Sequence, residues 1–136
     1  MAAGWFEGRS CNVQKFKEAC KINDYDVFPT ALAFVERFGW LEGHHRAYRT
    51  SDLESFDFNP CKAIDDIYKE RVDDYSSRFG EALIPVGEIH NGHLTLMISP
   101  SGAVVGGYDD FLCILGEDAE SGVNAIFEQS EVVGIE

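Results

Sequence analysis

The chain has 136 residues, 45% of them hydrophobic and ten of them Phe, enough for a single domain over 1–136 whose core needs no disulfide or metal. Its 24 acids against 11 bases give a net charge of −13, a surface that repels nucleic acid and anionic membrane and attracts basic partners. No run approaches the roughly 18 apolar residues of a membrane span, and the N-terminus lacks the basic-then-apolar pattern of an export signal, so a cytoplasmic location is expected.

Trp5 and Phe6 stand ahead of Gly8, and two aromatics this early predict a terminus pinned to the core. Ser10 is placed to cap a helix running to Lys21, with Val13, Phe16, Lys17 and Cys20 along one face. Asn23 and Asp24 mark a turn. Pro29 suits the first turn of a second helix, whose apolar face is Ala31, Leu32, Phe34, Val35 and Phe38. Gly39 is expected to end that helix in the left-handed conformation. Residues 42–55, with Gly43, His44, His45 and little apolar content, read as a surface loop or a weak edge strand. Phe56-Asp57-Phe58 alternates as a short strand does.

Asn59 as cap and Pro60 in the first turn open one long predicted helix over 59–80, stopped by Gly80. Its stripe is Ile64, Ile67, Tyr68, Val72, Tyr75 and Phe79. Asp65, Asp66, Glu70, Asp73 and Asp74 take the opposite face, where Lys62 with Asp66 and Lys69 with Asp73 are pairs worth about 0.2–0.5 kcal/mol each.

The stretch 83–115 alternates short apolar runs with turn chemistry. Leu94, Leu96 and Ile98 share one face at period two, with Thr95, Met97 and Ser99 on the other. Asn91-Gly92 is the strongest hairpin signal in the chain, since both residues tolerate positive φ. Pro100-Ser101-Gly102 supplies the next turn, and Gly106-Gly107 with Asp109-Asp110 the one after. Four strands follow, near 83–89, 94–98, 103–107 and 111–115, joined as an antiparallel meander. A last helix over 116–127 carries the stripe Ala119, Val123, Ile126 and Phe127. Glu117, Asp118 and Glu120 lie in its first turn, where the helix dipole favours acids, and Gly122 is in its interior at a cost of up to about 1 kcal/mol. Val132-Val133 in the tail is an edge strand or a frayed end. The fold class is therefore α+β: a meander sheet with three helices before it and one after.

The segments PVGE at Pro85–Glu88, LTLMIS at 94–99, the Gly102 turn and Gly116 after the last strand resemble, in order and spacing, the SUKH superfamily and specifically its third subfamily. So do AGWFEGR at 3–9 and the helix running into Arg78-Phe79-Gly80. Where that family tends to have a double glycine and a leucine, this chain has Gly39-Trp40-Leu41. The resemblance implies an α+β fold and the function of a bacterial immunity protein, which binds and neutralises a toxin made by the same cell or its kin.

The residues themselves offer little catalysis. His90 and His93 flank the Asn91-Gly92 turn and, with a third ligand, have the chemistry of a zinc or copper site, but an exposed turn provides neither cavity nor supporting shell. No G-x-S-x-G occurs, and none of Cys11, Cys20, Cys61 and Cys113 has a placed base. The cysteines are scattered without C-x-x-C and read as free thiols of a reducing compartment. Glu88, a lone acid in an apolar strand, is a conceivable general base; the ordinary role is to bond backbone N–H groups at a strand end. Neither Gly102 nor Gly106-Gly107 is followed by the helix start and lysine of a phosphate loop, and no cofactor is expected. What remains is surface. Asp65, Asp66, Glu70, Asp73 and Asp74, the Asp109-Asp110 turn, and Glu117, Asp118 and Glu120 form either one acidic face for a basic protein, a cognate toxin on the family's implication, or an evenly solvated shell. A regulatory adaptor of the same fold is the alternative to an immunity protein.

Overall fold

The computed structural model of the protein describes residues 13–46, 53–89, 94–128 and 133–134. The fold is α+β. Among the described residues its sheet has seven antiparallel strands in sequence order: β1 Glu42–Arg46, β2 Leu53–Asp57, β3 Ile84–Ile89, β4 Leu94–Ile98, β5 Val104–Tyr108, β6 Phe111–Gly116 and β7 Val133–Gly134. The helices are α1 Gln14–Ile22, α2 Pro29–Phe38, α3 Pro60–Asp66, α4 Lys69–Phe79 and α5 Ala119–Glu128.

The four-strand meander is present, but the sheet extends beyond it on both sides. Residues 42–46 and 53–57 pair as a ladder with Glu42 opposite Asp57 and Arg46 opposite Leu53, where a loop or weak strand was expected. In this outer ladder β1 is the edge strand, and β2 joins it to the meander, with Asp57 opposite Glu88. At the other edge Val133 pairs with Ile114. The expectations on Trp5, Phe6 and Cys11, and on the Asn91-Gly92 turn, lie outside the described residues, although Ile89 pairs with Leu94 across that turn. Helix α1 starts later than expected, at Gln14, with Val13 rather than Ser10 at its N-cap.

The central strands are covered on both faces. Met97 and Ser99, expected on a polar face, are fully buried beside Leu96 and Ile98. A β-carbon at Gly107 would lie 2.6 Å from the Tyr75 ring of α4 and 2.9 Å from Met97. Gly122 of α5 sits against Val104. Met97 pairs with Val105 and Ile98 with Val104, so α4 and α5 cover opposite faces of the sheet. Gly106 and Gly107 are thus strand residues required by close packing, and the turn itself is Asp109-Asp110, with Tyr108 opposite Phe111. The glycine inside α5 has the same kind of reason: a β-carbon on Gly116 would meet the backbone of Gly122.

Two helix ends differ from expectation. Gly39 is not left-handed (φ −54°); its lack of a side chain keeps it clear of the Val35 carbonyl, and Trp40 takes the positive φ of 64° instead. The single helix predicted over 59–80 is two. Asn59 caps α3 as expected, its Oδ1 accepting from the Lys62 N–H at 3.1 Å, but Ile67 (φ −125°, ψ 139°) and Tyr68 (φ −71°, ψ 137°) are extended, and α4 starts at Lys69. Gly80 then closes α4 with φ 91°. A straight helix over that span would be a rod of about 30 Å. The break lets α3 pack along β3 while α4 reaches the β5–β6 turn, and it turns Tyr68 out of the apolar stripe to 80% exposure.

Candidate protein-binding site

Helix α4 buries Val72 and Tyr75 against the sheet, which leaves Glu70, Arg71 and Asp74 on its outer surface. Two hydrogen bonds dock the β5–β6 turn beside it. The Tyr75 hydroxyl donates to the Asp109 carbonyl at 2.7 Å, and Arg78 Nη2 donates to the Asp110 carbonyl at 3.0 Å. Asp109 sits at φ 48°, a conformation that Asp tolerates and a two-residue hairpin needs. Between helix and turn runs a groove of about 320 Å³, with Tyr75 and Gly107 among its inner residues and Tyr68, Arg71, Tyr108 and Asp109 along its sides. A second depression of about 380 Å³ adjoins it across Tyr68 and Arg71, lined also by Glu70, Asp74, Asp109 and Asp110.

The fold thus brings together five of the acids singled out in the sequence: Asp66, Glu70, Asp74, Asp109 and Asp110. Arg71 is the cation among them, 4.0 Å from Asp109 and raised in pKa chiefly by the Tyr75 hydroxyl beside it. The other five lie elsewhere. Asp65 is exposed on α3 near Cys61, whose thiol is pushed up by burial and then by this charge. Asp73 pairs with Lys69 at 2.9 Å and faces Tyr25, whose phenol is raised by burial first and by Asp73 next. Asp118 is occupied in capping α5: its carboxylate accepts from the Ser121 N–H at 2.8 Å, which holds its pKa down. Glu117 lies by the Gly102 turn, at the end of β5 opposite Asp109-Asp110, and Glu120 follows in α5. The acidic shell is therefore neither one face nor even. What the residue pattern missed is the aromatic content of this edge, since Tyr68 was assigned to the core and Tyr108 and Phe111 to no role. Tyr68 carries a usable signal, flanked in sequence by Asp66 and Glu70; Tyr108 and Phe111 carry none until the turn is placed.

Beside the groove lies a polar cluster under α3. Glu88, 4% exposed, bonds a side chain where strand-end N–H groups were expected: among the described residues its Oε1 accepts from Lys62 Nζ at 2.6 Å. Lys62 also reaches Asp66 at 3.0 Å and Asp57 at 4.0 Å. Burial, and then the neighbouring Asp66, lift the Glu88 carboxyl from 4.5 to about 7, against the pull of Lys62. Lys62 is itself raised by hydrogen bonds to Glu88 and Asp66, which by itself argues for an ionised Glu88. The two agree once Asp66, lowered by hydrogen bonds to Glu88 and Lys62, holds the negative charge and Glu88 the proton near neutrality. The folded protein then binds the Glu88 proton more tightly than the unfolded chain, so this contribution is full below 4.5 and is lost as pH rises through 7. Asp66 acts oppositely, its contribution fading only as pH falls below its ordinary 3.8. Wild type is expected to lose stability relative to Glu88→Gln between pH 5 and pH 8, read from urea midpoints at each pH; parallel profiles would show Glu88 ionised in the fold throughout.

Cys20 and Cys113 are buried thiols, which burial pushes up to about 12 and about 11. Among the described residues no three His, Cys, Asp or Glu side chains are placed to hold a metal ion, and no helix is long and apolar enough to cross a membrane. His90 and His93 lie outside the described residues, and His44 and His45 fall in β1.

A family model described as SUKH-3 immunity protein matches residues 1–129. No curated protein and no solved structure gives a match.

Proposed function

The chain belongs to the SUKH-3 immunity protein family, and from that membership we propose that it is a non-catalytic inhibitor that binds a toxin made by the same cell or its kin, one to one, and covers the toxin's active site or substrate surface. The family match over residues 1–129 carries this reading. The charge supports a basic partner: a net −13 on the chain, with five carboxylates gathered between α4 and the β5–β6 turn. A nuclease or other nucleic-acid-modifying enzyme fits best, because its substrate groove is basic and an acidic inhibitor both complements it and speeds encounter. Binding of this kind is cytoplasmic and uses no cofactor, nucleic acid or membrane.

The test is protection. A toxin reading frame adjacent to this gene is expected, which induced alone should arrest growth, and co-expression of this chain should restore it. The two purified proteins should co-elute as a 1:1 complex. Arrest that this chain does not relieve, with no complex formed, would move the protein to the adaptor class.

A further inference from the structure

Among the described residues the exposed large apolar side chains are Ile22, Tyr68, Tyr108 and Phe111, and three of these four lie on the edge just described. Tyr68 is 80% exposed at the α3–α4 break, and Tyr108 and Phe111, 51% and 47% exposed, face each other across the β5–β6 turn. Tyr68 lines the groove, with the fully buried Tyr75 and the side-chain-free Gly107 beneath, whereas Tyr108, next after Gly107 in β5, and Phe111 opposite it carry their rings on the other face of the sheet. An exposed tyrosine over a rigid, packed base has the composition of a binding hot spot, where a large amphipathic ring gives contact area at low entropic cost. The rim is acidic beyond what Arg71 offsets: Glu70 and Asp110 form no carboxylate ion pair among the described residues. That charge selects the occupant. A second copy of this chain would set two acidic rims face to face, so the edge fits a different, basic protein.

We propose that this edge is the anchor of the toxin interface and that it takes a segment presenting an aromatic side chain between basic ones. The partner's ring packs on Tyr68 in the groove over Gly107, and its Lys or Arg side chains meet Glu70 and Asp110. The assignment rests on the immunity reading for the identity of the partner, but not for the chemistry of the site. It divides the labour: the aromatic anchor holds the complex and sets dissociation, while the acidic rim sets encounter.

A peptide probe tests the chemistry without the toxin. The acetylated, amidated peptide Gly-Arg-Phe-Arg-Gly, titrated into the labelled protein, should give saturable amide shifts in residues 67–71 and 107–111. Affinity should fall about ten-fold, the equivalent of one well-packed contact, in Tyr68→Ala and again when the peptide's Phe is Ala. The peptide with Glu in place of Arg should give none. An absence of shifts at these amides, or equal binding by the Phe and Ala peptides, overturns the anchor. With the toxin in hand the two readings separate. Tyr68→Ala that protects cells and dissociates as slowly as wild type sinks the anchor and leaves immunity standing, whereas wild type that fails to protect sinks immunity itself.

Discussion

Tyr75→Ala is expected to destabilise the protein by about 3–5 kcal/mol, the range for truncating a fully buried aromatic. Tyr75 is 0% exposed, the largest of the fully buried side chains among the described residues, and joins α4 to both the sheet and the β5–β6 turn. Its ring fills the space that Gly107 leaves, so truncation opens a cavity rather than a surface dent. For a chain of this size each kcal/mol moves Tm by about 4 °C, so a drop of roughly 12–20 °C is expected. Tyr75→Phe keeps the ring and loses the hydroxyl's hydrogen bonds, with Arg71 and to the Asp109 carbonyl, the second at a cost of about 0.5–1.5 kcal/mol. Phe79, which the helical stripe equates with Tyr75, is only half-buried, and Phe79→Ala should cost less. Urea unfolding of the three variants checks the order. Equal losses for Tyr75→Ala and Phe79→Ala would mean that α4 docks on the sheet differently.

The second large effect is kinetic. Reversing Glu70, Asp74 and Asp110 together to Lys is expected to slow association with the toxin by about ten-fold or more, as lost electrostatic steering does. These three border the depression beside Tyr68, and among the described residues their carboxylates form no ion pair beyond the Asp74–Arg78 contact at 3.9 Å. Asp66 is left in place because it shares Lys62 with Glu88, and Asp109 because few residues accept its φ of 48°. The control reverses Asp65, Glu117 and Glu120, an identical change of net charge at exposed positions away from that edge. It should slow association by less than about three-fold, since steering depends on where charge sits relative to the docking face. The wild-type rate should also fall with salt, as the Debye length shrinks from about 10 Å at 0.1 M to about 3 Å at 1 M. Surface-plasmon kinetics at the two salt concentrations measure all of this. Equal slowing by both triple variants would reduce the acidic edge to a share of the overall charge, and salt-independent association would remove steering altogether.

Much of the architecture was legible along the chain. Period-two apolar runs and turn residues placed β3 to β6, Asn59 and Gly80 marked where a helical region starts and stops, and the i,i+4 pairs Lys62–Asp66 and Lys69–Asp73 formed at 3.0 and 2.9 Å. These are local signals, set by backbone preference and side-chain spacing within a few residues. The family resemblance rested on the same kind of short ordered motif and is met by the match over residues 1–129.

The break at Ile67 and Tyr68 was not legible, because no Gly or Pro marks it and helical periodicity runs through it unbroken. It arises where α3 and α4 answer to different partners, β3 and the β5–β6 turn, which is a demand of the assembled sheet. The glycines of β5 and the Gly116–Gly122 contact likewise read as turn or weakness until a facing ring or backbone explains them. The site followed suit. Ten acids were singled out in the sequence, but which five meet, and that the exposed Tyr68 stands among them, depended on Tyr75 and Arg78 holding the Asp109-Asp110 turn against α4. Sequence by itself determined the meander strands, the ends of the helical regions, the net charge and the family, since each follows from residue type and near-neighbour order. Only the tertiary structure decided which side chains share a surface, because residues some 40 positions apart become neighbours through packing that no local pattern encodes.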